Sequence, residues 1–161
     1  MARPRKEKKP SYFDGYEYKG YRIKTKLVLE GRGRYKPMKL SRSEDVYREF
    51  RKLRECDKEK FYSLFLDVKN NVIGVELVSQ GCLDTSCVHP REVYKSALLA
   101  SASSVIFVHN HPSGDPEPSF GDNNITEQLK HAGDIFSIKV LDHIIIGQDS
   151  FYSYADKGKL D

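Results

Sequence analysis

The stretch Ser103-Ser104-Val105-Ile106-Phe107-Val108-His109-Asn110-His111-Pro112, followed by Ser119 and Asp122, decides how this chain is read. Ser103 to Val108 is short, apolar and partly β-branched, which predicts a buried strand. His109 then stands at the strand end and His111 just past it. Side chains of extended backbone alternate with period two, so histidines one residue apart point the same way. Asp122 lies eleven positions after His111. The intervening Pro112-Ser113-Gly114-Asp115-Pro116 is rich in turn residues, so the chain can return to the same point. Two imidazoles and one carboxylate leave a fourth position on a zinc ion open, and that opening separates a catalytic zinc from a structural one.

The segment from Ser119 predicts a helix. Ile125 and Leu129 lie four apart on one face, and Gly133 reads as a stop signal. Ser119 suits the N-cap, which puts Asp122 in the first turn. A blander reading stands beside the metal. Ser-x-x-acid at a helix start is a capping arrangement, and an acid there complements the helix dipole. Taken alone, Asp122 reads as a cap, and His-x-His alone is a weak signal. Joined as His-x-His, seven residues, Ser, two residues, Asp, the pattern points to a metal site.

Working outward, Ser41-Arg42-Ser43-Glu44 predicts a helix running to about Asp57, with Val46, Phe50 and Leu53 on one face. Phe61–Val68 and Val72–Ser79 read as a β-hairpin around Lys69-Asn70-Asn71, because Asn tolerates a left-handed turn. Pro90 to about Ser101 predicts a helix packing through Val93, Ala97, Leu98 and Ala100. Further strands are expected near Ile138–Ile146 and Phe151–Tyr154. No internal repeat is present. The fold class is mixed α/β, with helices and strands around one sheet.

His109, His111, Ser119 and Asp122 match the JAMM motif of MPN-domain metalloproteases. The neighbouring words resemble the bacterial RadC-like proteins more closely still. They are Val88-His89-Pro90-Arg91-Glu92, His109-Asn110-His111-Pro112-Ser113-Gly114-Asp115, Pro118-Ser119, Asp122, Thr126 and Leu141-Asp142-His143-Ile144-Ile145-Ile146-Gly147. The resemblance runs from about Ser41 to the C-terminus. It implies a single MPN-type domain over residues 41–161, with a central mixed sheet flanked by helices. It also implies a zinc metallohydrolase acting on an amide, peptide or isopeptide bond, so the implied partner is a protein or peptide substrate. His109, His111 and Asp122 would hold Zn2+, and Ser119 would donate a hydrogen bond to the developing oxyanion.

The same resemblance supplies a general base. The pattern needs an upstream glutamate before a strand, and Glu59 fits, two residues ahead of Phe61. It would activate the zinc-bound water and pass the proton to the leaving amine. From the residues alone, Glu59 is one acid in the charged run Glu55-Cys56-Asp57-Lys58-Glu59-Lys60. Nothing there selects it over Glu55 or Asp57.

The remaining histidines, His89, His131 and His143, read as structural, since nothing near them has ligand spacing. His89 precedes Pro90 at a helix start. His131 stands near a helix end, where positive charge suits the dipole. Cys82 and Cys87, with His89, lack zinc-knuckle spacing and a fourth ligand. Three cysteines, an odd count, and no export signal favour free thiols and a cytoplasmic location. No apolar run approaches membrane-spanning length.

The formal net charge of +4 hides an asymmetry. Residues 1–40 hold 13 Lys/Arg against 4 Asp/Glu, a net +9, and residues 41–161 hold 14 against 19, a net −5. Residues 1–40 therefore read as a basic N-terminal arm. Over Tyr16–Leu29, basic residues alternate with Ile23, Thr25 and Leu27, which suggests an edge strand. Such a segment, interleaved with tyrosines, can hold nucleic acid. It can equally keep a sheet edge from pairing, and that reading is favoured because no recognised binding fold accompanies it. The longer RadC-like proteins carry an N-terminal helical domain associated with DNA, and this chain has the basic arm instead. Three functions follow: a zinc peptidase or isopeptidase, a metal-dependent enzyme acting on nucleic acid, and a non-enzymatic DNA-associated module. The complete ligand set with Glu59 favours the first.

Overall fold

Large apolar side chains alternate along the strands, and that alternation gives the sheet a core on each face. The computed structural model describes residues 38–81 and 88–160. Helix α1 (Ser43–Phe50) leads through a 3-10 turn (Arg51–Glu55) into β1 (Lys60–Leu66) and β2 (Val72–Gln80). Then come α2 (Pro90–Leu99), β3 (Ser104–Asn110), α3 (Phe120–Phe136), β4 (Lys139–Ile146) and β5 (Phe151–Ser153). The sheet order is β2-β1-β3-β4-β5. β1 is antiparallel to β2 and β3, β3 and β4 run parallel, and β5 is antiparallel to β4. The sheet is mixed and flanked by helices, as expected.

The parallel pair needs a crossover, and α3 supplies it. β3 is central, and all seven of its residues are buried. Val105 and Phe107 face the core formed with Val93 and Ala97 of α2 and Leu129 of α3. Ile106 and Val108 face the opposite core, with Val46 of α1. A strand buried on both faces explains why its sequence runs apolar without a break. The β1–β2 turn is held by Asp67, whose Oδ1 accepts from Lys69 N at 2.8 Å and Asn71 N at 2.9 Å. Asn70 takes the left-handed conformation there, with φ 60°.

Three expectations are corrected. The first helix does not run to Asp57 but ends at Phe50, where the chain tightens into the 3-10 turn. Leu98 is 49% exposed. Tyr94 lies buried in its stead, its hydroxyl donating to Leu129 O at 2.7 Å. Gly133 does not stop α3, which continues to Phe136 and ends with Ser137 in the left-handed region. Gly133 serves packing: a Cβ there would stand 2.5 Å from Ile138 O and 2.6 Å from the Tyr94 hydroxyl.

The basic arm and the strand expected over Tyr16–Leu29 lie outside the described residues, as do Cys82 and Cys87. Where the described chain begins, Met38 O accepts from Val72 N at 2.8 Å and Lys39 bridges Asn71. Cys56 is a free thiol. Among the described residues no helix is long and apolar enough to cross a membrane.

Candidate metal centre

Strand alternation aims His109. It follows Phe107 by two residues and so shares the face covered by α2 and α3. The ring is fully buried. Phe61, its partner in the β1–β3 register, stacks on it with centroids 5.8 Å apart. His111 lies just past the strand, where its backbone N donates to Ile146 O at 3.0 Å. The loop behind it is pressed onto the end of β4. Gln148 N donates to Gly114 O at 2.8 Å. A Cβ on Gly147 would meet Gly114 O at 2.6 Å and Pro116 Cδ at 2.8 Å, so the approach depends on glycine there.

Asp122 comes from the first turn of α3, and both readings of it hold geometrically. Ser119 Oγ accepts from Asp122 N at 3.1 Å, and Asp122 Oδ2 accepts from Ser119 N at 2.7 Å, a reciprocal capping box. The same carboxylate reaches the histidines. Its Oδ1 lies 3.2 Å from His109 Nε2 and its Oδ2 3.2 Å from His111 Nε2. The two Nε2 atoms are 3.1 Å apart. One ligand atom from each residue falls within 4.8 Å of the others.

The donor chemistry fits a divalent cation. The outer nitrogen of His111, Nδ1, lies 2.8 Å from Asp115 O. A carbonyl only accepts, so Nδ1 carries a proton, and Nε2 is the nitrogen left to face the cluster. His109 Nδ1 is likewise engaged, 2.8 Å from His143 Nε2. With the outer nitrogens engaged elsewhere, two Nε2 atoms and a carboxylate oxygen converge, and once their protons are displaced they form the donor set of three-ligand zinc sites.

Electrostatics follow the same geometry. Burial raises the Asp122 carboxyl, but hydrogen bonds from His109, His111 and Ser119 outweigh it and hold it well below the usual carboxylate range. Burial opposes charge on His111, yet Asp122 and the Asp115 carbonyl outweigh it and its pKa is raised. Burial drives His143 well below the ordinary imidazole value, and the neighbouring histidines push the same way.

Glu59 stands immediately before β1, half-buried, two residues from Phe61 and so on the His109 side. Burial raises its pKa. The charges of His109 and His111 lower it and that of Asp122 raises it, so the glutamate senses all three. Its backbone is held from both sides by Asn110, the residue between the two histidines. Asn110 Oδ1 accepts from Lys60 N at 2.9 Å, and Nδ2 donates to Lys58 O at 3.2 Å. Ser119 directs its hydroxyl proton at Asp122 Oδ2, 2.6 Å away.

Sequence reasoning gave no site role to Asn110, Thr126 or His143. His143 is not in the cluster that can hold an ion, but it bonds directly to His109. Its signal was register: β3 and β4 pair Phe107 with His143. His89 is the N-cap residue of α2, its carbonyl accepting from Glu92 N at 2.9 Å. His131 is exposed, 3.8 Å from Glu127.

A family model for the RadC-like JAB domain matches residues 40–159. A UPF0758 protein of Methanosarcina mazei is 53% identical over 121 residues, 74% of this chain and 53% of that protein. Another, from Caldanaerobacter subterraneus, is 53% identical over 109 residues, 68% of this chain and 47% of its own length. One from Geotalea uraniireducens is 50% identical over 117 residues, covering 73% and 50%. The chain spans about half the length of the curated relatives it matches.

Proposed function

Because the chain belongs to the RadC-like JAB domain family, we propose that it is a zinc-dependent metallohydrolase that cleaves an amide, peptide or isopeptide bond. One observation carries the reading: two Nε2 atoms and a carboxylate converge within 4.8 Å, beside a half-buried glutamate coupled to all three residues. In this reading His109, His111 and Asp122 hold the metal. A zinc ion there would supply Lewis acidity and would bring the ionisation of water from about 15.7 to near 7.

Glu59 takes a proton from the attacking water and returns it to the leaving amine. Its raised pKa suits both halves of that task, because a stronger base takes a proton more readily near neutral pH. Asn110 keeps the glutamate's backbone against the end of β3. Ser119 caps α3 through its oxygen, so its proton, which points at Asp122 Oδ2, is the one it would offer the oxyanion.

The test is turnover of a panel of peptides and isopeptide-linked conjugates by the zinc-loaded chain. Cleavage should stop with a chelator and return with zinc. Glu59→Gln should lower kcat at least about 100-fold with zinc still bound. Full turnover by Glu59→Gln would remove the glutamate from the mechanism. Chelator-sensitive cleavage of DNA or RNA instead would change the substrate class.

The charge asymmetry favours a second, compatible reading, in which residues 1–40 bind nucleic acid. Such binding should weaken steeply with salt and on deletion of residues 1–10, and survive His109→Ala.

A further inference from the structure

We propose that His143 is a positioning residue: backed by Thr126, it fixes the proton of His109 on Nδ1 and reserves His109 Nε2 for the metal. The inference rests on the metal reading of His109, His111 and Asp122.

The direction of the bonds follows once His109 Nε2 is given to the metal rather than to Asp122 Oδ1, 3.2 Å away, because the single N–H of a neutral imidazole then stands on Nδ1. Thr126 Oγ is hydrogen-bonded to Asp122 O and lies 2.6 Å from His143 Nδ1. The carbonyl can only accept, so the single hydroxyl proton goes to it. Thr126 Oγ must then accept from His143 Nδ1–H. A neutral imidazole carries one N–H, which leaves His143 Nε2 as an acceptor. That atom is 2.8 Å from His109 Nδ1, so His109 donates there and keeps its lone pair on Nε2.

The surroundings hold this arrangement in place. His143 is completely buried. Tyr154 stacks on it at 5.1 Å, and the rings of Phe61 and Phe107 meet it edge-on at 5.4 and 5.9 Å. An apolar aromatic cage disfavours a second proton. His109 is equally buried and has no solvent to set its tautomer. Free histidine favours the proton on Nε2, so each of these rings is held in its less common form.

The chain of bonds also closes on itself. Asp122 offers its carbonyl to Thr126 and its Oδ1 to His109 Nε2. The placement of α3 therefore sets the metal-facing carboxylate and, through Thr126 and His143, the tautomer of the opposing imidazole. His111 uses a separate lock, the Asp115 carbonyl. Partners of this kind typically change metal affinity 10- to 100-fold when removed, by about that order here.

The experiment combines tautomer and affinity. Long-range proton–nitrogen NMR of the zinc-loaded parent should show Nδ1–H on both His109 and His143. A His143 without a proton on Nδ1 would overturn the proposal. In chelator competition, His143→Phe should weaken zinc binding at least about 10-fold. His143→Gln, which can accept from His109 and donate to Thr126, should recover most of the loss. Equal zinc affinity in parent and His143→Phe, or no recovery by Gln, would also overturn it. Should His143→Phe fail to fold, the spectrum of the parent decides. If the parent takes up no zinc, the metal reading itself falls; zinc uptake that does not depend on His143 strikes the relay alone.

Discussion

Ser119 Oγ lies 2.6 Å from Asp122 Oδ2 and accepts from the Asp122 backbone N–H at 3.1 Å, so one hydroxyl both caps α3 and steadies the carboxylate that faces His109 and His111. The cap and the acid that faces the two histidines are one device. Ser119→Ala should cost about 1 kcal/mol of stability through the lost cap. It should lower kcat by about 100-fold or more through the lost oxyanion donor. Zinc content should not change. Denaturant melts, turnover and elemental analysis separate the three effects, and an unchanged kcat would leave Ser119 as a cap alone.

Asn110 predicts a different split. Its buried amide makes two bonds to the backbone on either side of Glu59. Asn110→Ala leaves Lys60 N and Lys58 O without it, a loss of about 1–3 kcal/mol. The glutamate loses its tether, so kcat should fall while zinc stays bound. Asn110→Asp keeps the acceptor for Lys60 N but sets a second acceptor against Lys58 O, so it should not restore the parent. An Ala variant that turns over normally would show that β1 alone places Glu59.

Gly133→Ala decides between propensity and packing. In a helix interior, Ala is favoured over Gly by about 1 kcal/mol. Here the added Cβ would stand 2.5 Å from Ile138 O and 2.6 Å from the Tyr94 hydroxyl. Overpacking of this kind costs about 1–3 kcal/mol, so the variant should unfold at lower urea than the parent. A higher midpoint would contradict the packing.

Metal uptake should depend on pH in a stated direction. The raised pKa of His111 means that a proton competes for its Nε2 above the usual imidazole value of about 6.5. Zinc affinity should therefore rise with pH through that region, with proton release on binding. Calorimetric titrations in buffers of different ionisation enthalpy measure both. Affinity that stays flat with pH would contradict the assignment of His111.

Much of this was legible in the sequence for physical reasons. The apolar run before His109 marks a strand buried on both faces, and β3 is that strand. The turn-rich segment after His111 returns Asp122 to the histidines. The helix from Ser119 was legible because its cap is local. What escaped notice depends on neighbours distant in the chain. Gly133 reads as a stop until Tyr94 and Ile138 are placed against it. Leu98 reads as core until the buried hydroxyl of Tyr94 finds Leu129 O. His143 lies 34 residues from His109, and only the β3–β4 register brings the rings together. Resemblance, and not the charged run, singles out Glu59 from Glu55 and Asp57. The Asn110 amide bonds to its flanking backbone supply a physical reason for its place.

The measurement that bears most directly on the central claim is the metal content of the purified, untagged chain by elemental mass spectrometry, beside His109→Ala and Asp122→Ala. The account predicts about one zinc per chain in the parent, as three convergent ligands require, and loss of it from both variants. No bound metal in the parent, and no uptake when zinc is added, would contradict it.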